Sequence, residues 1–264
     1  MNNFEFFSIF TNYACNYNCS YCCLKYPTQD KVLLKKEKPI SAREFLYLNK
    51  IKVKLPDLIL HIHGGEPLLY PELDYLLYNL DFNQILIVSN FSIPITNCIT
   101  NLHKLKGKVK FIGSYHPENA DNKIFIDNSK ILKKENMLER IVGVDGYITE
   151  DIKAMFWEND FEIVIYPYKG IKNNVIFPAD MREHARGWVT NEPGKTVLCK
   201  STKFLIDPLG DIWNCSTHMY RNNKKYCFGN IRDNFNMQAT YHKCDEYRYC
   251  NPCQGDYHQY RELV

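Results

Sequence analysis

Six short runs rich in Ile, Val, Phe and Leu, at residues 4–11, 58–63, 84–89, 109–115, 138–144 and 161–166, alternate with helical patterns through the first two-thirds of the chain. Runs of this composition read as strands buried on both faces. A helix is expected from Ser41, where Ser-Ala-Arg-Glu44 forms a capping box. A second opens at Pro71 with Leu73, Leu76, Leu77 and Leu80 on one stripe, and a third begins near Thr149. Six strand–helix units in succession predict a parallel sheet with right-handed crossovers. They are too few to close an eight-stranded barrel, so the expected architecture is α/β, a partial (β/α)6 TIM-like barrel that binds ligands at the carboxyl ends of its strands.

That pattern ends after Tyr166. Residues 167–198 hold several prolines and glycines without periodicity and read as connecting and gating segments. Residues 203–215 then form a hairpin turning through Pro208–Gly210. The expected organisation is a barrel over 1–170, a connecting segment over 171–198, and a small C-terminal hairpin-plus-helix unit over 199–264.

With 45% apolar and 14% aromatic residues, the chain can build a core without disulfides. A formal charge of +3 is too weak to imply nucleic acid. No apolar stretch is long enough for a membrane helix, and the first residues lack a signal-peptide pattern, so a cytoplasmic protein is expected. Eleven cysteines in a reducing compartment point to metal or catalysis rather than cross-links.

Three of these cysteines stand in Cys15-Asn-Tyr-Asn-Cys19-Ser-Tyr-Cys22, directly after the first run. Thiolates so spaced on one short loop are soft metal ligands. Three thiolates on an iron–sulfur cube leave one iron open, whereas tetrahedral zinc would want a fourth ligand. In the loop after the first strand of a βα-rich chain, C-x3-C-x2-C resembles the signature of the radical S-adenosylmethionine (SAM) superfamily. The resemblance implies that Cys15, Cys19 and Cys22 hold a [4Fe–4S] cluster whose fourth iron is chelated by SAM, with Tyr21 bordering the adenine. Gly64-Gly65-Glu66-Pro67, after the second run, looks like that family's GGEP motif, which binds the SAM amino group; its glycines would let backbone approach a ligand closely. Ser89-Asn90, after the third run, is similar to a Thr-Asn-Gly element near SAM, with Phe91 where the glycine would stand. Ser114 and His116, after the fourth run, occupy the next ligand-facing loop.

Further cysteines follow at Cys199, Cys215, Cys244, Cys250 and Cys253. By spacing alone, zinc and iron–sulfur are both open for this set. The element C-x10-G-x4-C, from Cys199 through Gly210 to Cys215, looks like the opening of SPASM and twitch auxiliary-cluster domains. That resemblance implies a second [4Fe–4S] cluster on Cys199, Cys215, Cys250 and Cys253, with Cys244 a replacement or spare.

His61 and His63 alternate on the second strand and share a face, either lining the substrate cavity or packed as interior histidines. Tyr166 ends the sixth strand, where a substrate would lie. Cys23, Cys98 and Cys227 fall outside both sets. Cys227 is a candidate hydrogen-atom donor, although packing as a small hydrophobe is the better reading for any one of these cysteines. The resemblance implies a flavodoxin or ferredoxin-type electron donor, reductive cleavage of SAM to a 5′-deoxyadenosyl radical, and hydrogen abstraction from substrate. The expected substrate is a peptide undergoing crosslinking, oxidation or epimerisation. A small polar substrate such as a sugar or aminocyclitol is the alternative.

Overall fold

The computed structural model describes residues 6–22, 38–52, 58–166, 170–172, 175–177, 197–201, 203–220, 222–233, 242–244 and 259–263. Six strands follow the expected runs: β1 (Phe6–Phe10), β2 (Leu60–His63), β3 (Ile85–Ser89), β4 (Val109–Ser114), β5 (Leu138–Val144) and β6 (Ile163–Tyr166). Each pairs in parallel with the next, in sequence order. The result is a mixed α/β chain whose large, mostly parallel sheet forms an open, partial TIM-like barrel.

The helices lie where local signals place them. Ser41 caps α1 (Ala42–Phe45), its side chain accepting from Glu44 N while the Glu44 side chain reaches back to the cap. A 3-10 turn and α2 (Asn49–Lys52) continue that crossover. In α3 (Leu73–Asn79), Leu73, Leu76 and Leu77 are buried, and the helix opens at Leu73 with Glu72 as its cap, two residues later than the expected start at Pro71. Thr149 caps α5 (Glu150–Glu158). The longest helix among the described residues, α4 (Asn122–Lys134), is additional to the sequence expectation. Its signals are an Asp121 cap on Ile124 N and a stripe of Phe125, Ile126, Ser129 and Leu132 turned inward. Between β3 and β4 the crossover contains only 3-10 turns, Ile95–Asn97 and Leu102–Leu105.

One expectation about the strands needs correction. They are not buried on both faces: burial alternates along β2 and β3. Ile62, Ile85 and Ile87 pack into the main core with Phe7, Ile9, Phe45, Leu76 and Phe111. His61, His63, Leu86 and Val88 face the other way and are only partly covered. An unclosed barrel leaves its concave face without a second layer, so period-two alternation survives despite the apolar composition.

The C-terminal hairpin, β10 (Lys203–Ile206) and β11 (Asp211–Trp213), is antiparallel as expected. It does not stand apart: β10 pairs in parallel with β1, and β12 (Cys227–Asn230) follows β11, giving one nine-stranded sheet ordered β12-β11-β10-β1-β2-β3-β4-β5-β6. Asp207 secures the turn, accepting from Leu209 N, Asp211 N and Trp213 Nε1 at 2.9, 3.0 and 3.0 Å. Phe10, Leu205, Trp213, Met219 and Tyr220 form a second core on the far side of this junction. Strands β7 (Gly170–Lys172) and β8 (Val175–Phe177) make a separate pair. Strand β9 (Val197–Ser201) lies between β13 (His242–Cys244) and β14 (Gln259–Leu263). Residues 178–196, expected to connect barrel and C-terminal unit, lie outside the described residues. No described helix is long and apolar enough to cross a membrane.

Candidate active site

The loop that leaves β1 is laced to the loop that leaves β2. Thr11 N donates to His63 O at 3.0 Å, Gly65 N to Asn12 O at 2.8 Å and Glu66 N to Ala14 O at 2.8 Å. Asn12 Nδ2 closes the ladder on Glu66 O at 3.0 Å. The glycines serve this contact. A Cβ at Gly65 would stand 2.1 Å from Ala14 O, and one at Gly64 would stand 2.8 Å from Asn12 O. The backbone that Gly64 and Gly65 admit is therefore the chain's own cysteine loop.

Cys19 is buried, and Cys15 and Cys22 are half-buried, on this loop. Burial, then the neighbouring Cys22 and Cys15, push the Cys19 thiol up to about 11. A metal centre would have to displace these protons. No disulfide joins any of the described cysteines. Among the described residues no group of three or more His, Cys, Asp or Glu side chains is gathered closely enough to hold a single metal ion. The loop is also held from the β4 side. Ser20 N and Oγ donate to Glu118 at 2.7 and 2.6 Å, and Asn18 N donates to Asn119 Oδ1 at 3.3 Å.

Glu66 is almost fully buried, and its carboxylate works as an internal strut. Oε1 accepts from Leu68 N at 2.9 Å and from Ser89 Oγ at 2.7 Å, while Oε2 accepts from Asn90 N at 2.7 Å. Burial raises its pKa to about 7, against the lowering effect of those three bonds. Ser89 and Asn90 thus reach the site through Glu66. Phe91, standing where the family element has glycine, adopts φ 51°, the left-handed region that glycine occupies without cost. Its ring is fully buried against Phe111 and Phe125. Asn128 clamps the turn by donating to Phe91 O and Ile93 O at 3.1 and 2.8 Å and accepting from Ile95 N at 2.8 Å.

Tyr21 and His116 come together as a wall beside the cysteine loop. Their rings stack at 5.7 Å, and Tyr21 Oη lies 3.1 Å from His116 Nδ1. Tyr17 and Tyr147 complete the wall, the latter 4.1 Å from the Tyr21 ring. Burial lowers the His116 pKa to about 4, so the ring is neutral at pH 7. Ser114 ends β4, half-buried and in register with Val142. Asn12 Oδ1 is buried without a hydrogen-bond partner in the protein, an acceptor that a bound donor would satisfy.

His61 and His63 stack on each other at 6.0 Å on the concave face, and Phe10 stacks on His63 at 5.7 Å. Tyr166 ends β6 with 42% of its surface exposed. Cys227 lies apart, opposite Trp213 at the start of β12, with Sγ 3.4 Å from Gly229 O. Its thiol pKa is raised, mainly by burial, which keeps the sulfur protonated.

Of the C-terminal cysteines, Cys199, Cys215 and Cys244 are buried. Cys199 is on β9 opposite His242, and Cys244 is opposite Val197 on the same strand. Cys215 precedes α6 (Ser216–Tyr220), and Cys244 Sγ lies 3.9 Å from His218 Nε2. Cys23, Cys250 and Cys253 lie outside the described residues. The residues that hold the cysteine loop, Asn12, Glu118, Asn119 and Tyr147, escaped the sequence reading. Their only signal was a position in loops already expected at the carboxyl ends of strands.

No protein-family model matches the chain, and no curated protein matches it in sequence. Its fold is similar to that of SuiB from Streptococcus suis bound to S-adenosylmethionine, with a TM-score of 0.56 at 16% identity over 82% of this chain and 60% of that one. The complex of SuiB with its precursor peptide SuiA aligns with a TM-score of 0.54 at 16% identity, covering 83% of this chain and 61% of that one. The native anSMEcpe structure with bound AdoMet aligns with a TM-score of 0.56 at 16% identity, covering 93% and 87% respectively. The chain shares its fold, a partial barrel, with these proteins, and its cysteine loop lies at the carboxyl mouth of that barrel. The chain spans only about three-fifths of the length of SuiB (60%).

Proposed function

We propose that this chain is a radical SAM enzyme. The observation that carries the proposal is the lacing of the Cys15–Cys22 loop onto Gly64-Gly65-Glu66 at the carboxyl ends of β1 and β2. Cys15, Cys19 and Cys22 would hold one [4Fe–4S] cluster, and SAM would bind beside Tyr21, His116, Gly64, Gly65, Glu66, Ser89, Asn90 and Ser114. With the cluster held there, SAM would supply one-electron radical chemistry for removing a hydrogen atom from substrate.

The protein's own tasks follow from its side chains. The Glu66 strut fixes the loops after β2 and β3 relative to each other. The aromatic wall of Tyr17, Tyr21, His116 and Tyr147 presents flat apolar surface and excludes water. A neutral His116 can share a proton with Tyr21 without adding charge near the cysteines. On the concave face, His61, His63 and Tyr166 offer polar groups to a substrate. Cys227, kept as a thiol, has the form needed to donate a hydrogen atom.

A second [4Fe–4S] cluster on Cys199, Cys215, Cys250 and Cys253 would exchange electrons with the substrate site, and a flavodoxin or ferredoxin-type protein would supply the first electron. The proposed substrate is a peptide; the similarly folded SuiB binds the precursor peptide SuiA.

The test is an anaerobic assay of iron-reconstituted protein with SAM and dithionite. The expected product is 5′-deoxyadenosine, lost when Cys19→Ala removes one thiolate. A fully iron-loaded protein that binds no SAM and forms no 5′-deoxyadenosine would sink the proposal. With substrate in hand, solvent deuterium in the product marks epimerisation, and a new carbonyl marks oxidation of a small alcohol.

A further inference from the structure

Nitrogen donors converge on the sulfurs of the cysteine loop. Tyr17 N donates to Cys15 Sγ at 3.4 Å, and Asn90 Nδ2 stands 3.8 Å from the same sulfur. Asn119 Nδ2 donates to Cys19 Sγ at 3.5 Å. The opposite ends of the two carboxamides determine which atom faces sulfur. Asn119 Oδ1 accepts from Asn18 N at 3.3 Å, and Asn90 Oδ1 accepts from Ser92 N at 2.9 Å. In both residues the N–H, and not the carbonyl, therefore points at the thiol. Asn119 is itself anchored, its backbone N–H donating to His116 O at 3.0 Å. It follows Glu118, which grips Ser20 through both carboxylate oxygens.

We propose that Asn119 is a redox-tuning positioning residue for the cluster of the cysteine loop, its carboxamide N–H stabilising the added electron through the Cys19 thiolate. The proposal rests on the reading of Cys15, Cys19 and Cys22 as cluster ligands. One-electron reduction places more negative charge on the cluster and its thiolates, and a hydrogen bond to a charged acceptor strengthens with that charge. Cys19 is only 5% exposed, so water screens the interaction little. The electron comes from the external reductant, which is oxidised by one electron as the cluster is reduced, and no proton transfer is required. Asn90 acts in the same sense on Cys15 but also braces Glu66 through its backbone, so Asn119 is the cleaner probe.

The experiment is a redox titration of the reconstituted full chain, followed by electron paramagnetic resonance, for the unaltered protein, Asn119→Leu and Asn119→Gln. Asn119→Leu is expected to keep its iron while the reduction potential moves negative. The ratio of reduced to oxidised cluster at fixed poise should fall about tenfold, equivalent to about 59 mV for one electron. Asn119→Gln, which keeps an amide donor, should shift less. An unchanged potential in Asn119→Leu with a full iron load overturns the proposal.

If Asn119→Leu loses its cluster, the unaltered protein labelled with ¹⁵N-asparagine decides by electron–nuclear double resonance. A nitrogen coupling present in the unaltered protein and missing from Asn119→Gln grown on the same label supports the proposal, since Asn16, Asn18 and Asn90 are labelled in both, and spectra that do not differ overturn it. Failure of the unaltered chain to take up iron would instead remove the underlying reading of the cysteine loop. The two failures are thus distinguishable.

Discussion

Ser89 Oγ donates to the buried carboxylate of Glu66 at 2.7 Å, bonding the end of β3 to the loop that leaves β2. The same hydroxyl accepts from Phe91 N at 3.0 Å and so also supports the left-handed turn behind it. Ser89→Ala leaves a buried N–H and a carboxylate lobe unsatisfied. The expected loss is about 2 kcal/mol, read as a lower urea midpoint with unchanged slope. A loss under about 0.5 kcal/mol, the level of ordinary surface substitutions, would mean that the strut is dispensable.

Gly65 and Gly107 separate crowding from backbone strain. Gly65→Ala drives a Cβ to 2.1 Å from Ala14 O, a backbone atom held by its own hydrogen bond, whereas a Cβ at Gly107 meets nothing within 4 Å but sits at φ 84°. Gly65→Ala should cost about 3 kcal/mol, the upper end for overpacking. Gly107→Ala should cost about 1 kcal/mol from φ alone. Equal costs in parallel denaturant titrations would remove the steric account of the GGEP glycines.

Glu66 and His116 give opposite pH dependences of stability. The Glu66 pKa rises from 4.5 to about 7 on folding, so its contribution is full below about pH 4.5 and is lost as pH climbs through 7. The His116 pKa falls from 6.5 to about 4, so its contribution is full above about pH 6.5 and is lost as pH drops through 4. Relative to the unaltered chain, Glu66→Gln should remove the decline toward neutral pH, and His116→Asn should remove the acid-side loss. Urea midpoints between pH 4 and 8 read both, and identical pH profiles for all three proteins would contradict the assignment.

Asn128 is the residue that makes Phe91 tolerable at positive φ. Asn128→Ala orphans Phe91 O, Ile93 O and Ile95 N at once. A cost of about 3 kcal/mol is expected, since buried polar groups left unsatisfied each carry a penalty. Phe91→Gly relieves the turn but empties a core position, so it too should destabilise, by about 3 kcal/mol, because cavity formation outweighs the roughly 1 kcal/mol of strain relieved. A Phe91→Gly protein more stable than the unaltered chain would reverse that ranking.

Much of this was legible in residue order. The alternation of apolar runs located all six barrel strands to within a few residues, because strand and crossover patterns are local properties of contiguous residues. The Cys15–Cys22 loop and the GGEP turn could be placed at the carboxyl ends of β1 and β2 for the same reason. Helix α4 was missed although Asp121 and its buried stripe were present, and the concave faces of the strands were taken as buried because composition does not register whether a barrel closes.

Sequence by itself determined the strand order, the loop that carries the three thiols, and the chemistry those thiols favour. Tertiary structure alone decided that β10 would join the barrel beside β1, that Glu66 would brace β3, and that Asn119 would meet Cys19 from 100 residues away. Those contacts depend on how distant segments pack, and no periodicity or spacing within a segment encodes which donor will face a given sulfur across the mouth of a sheet.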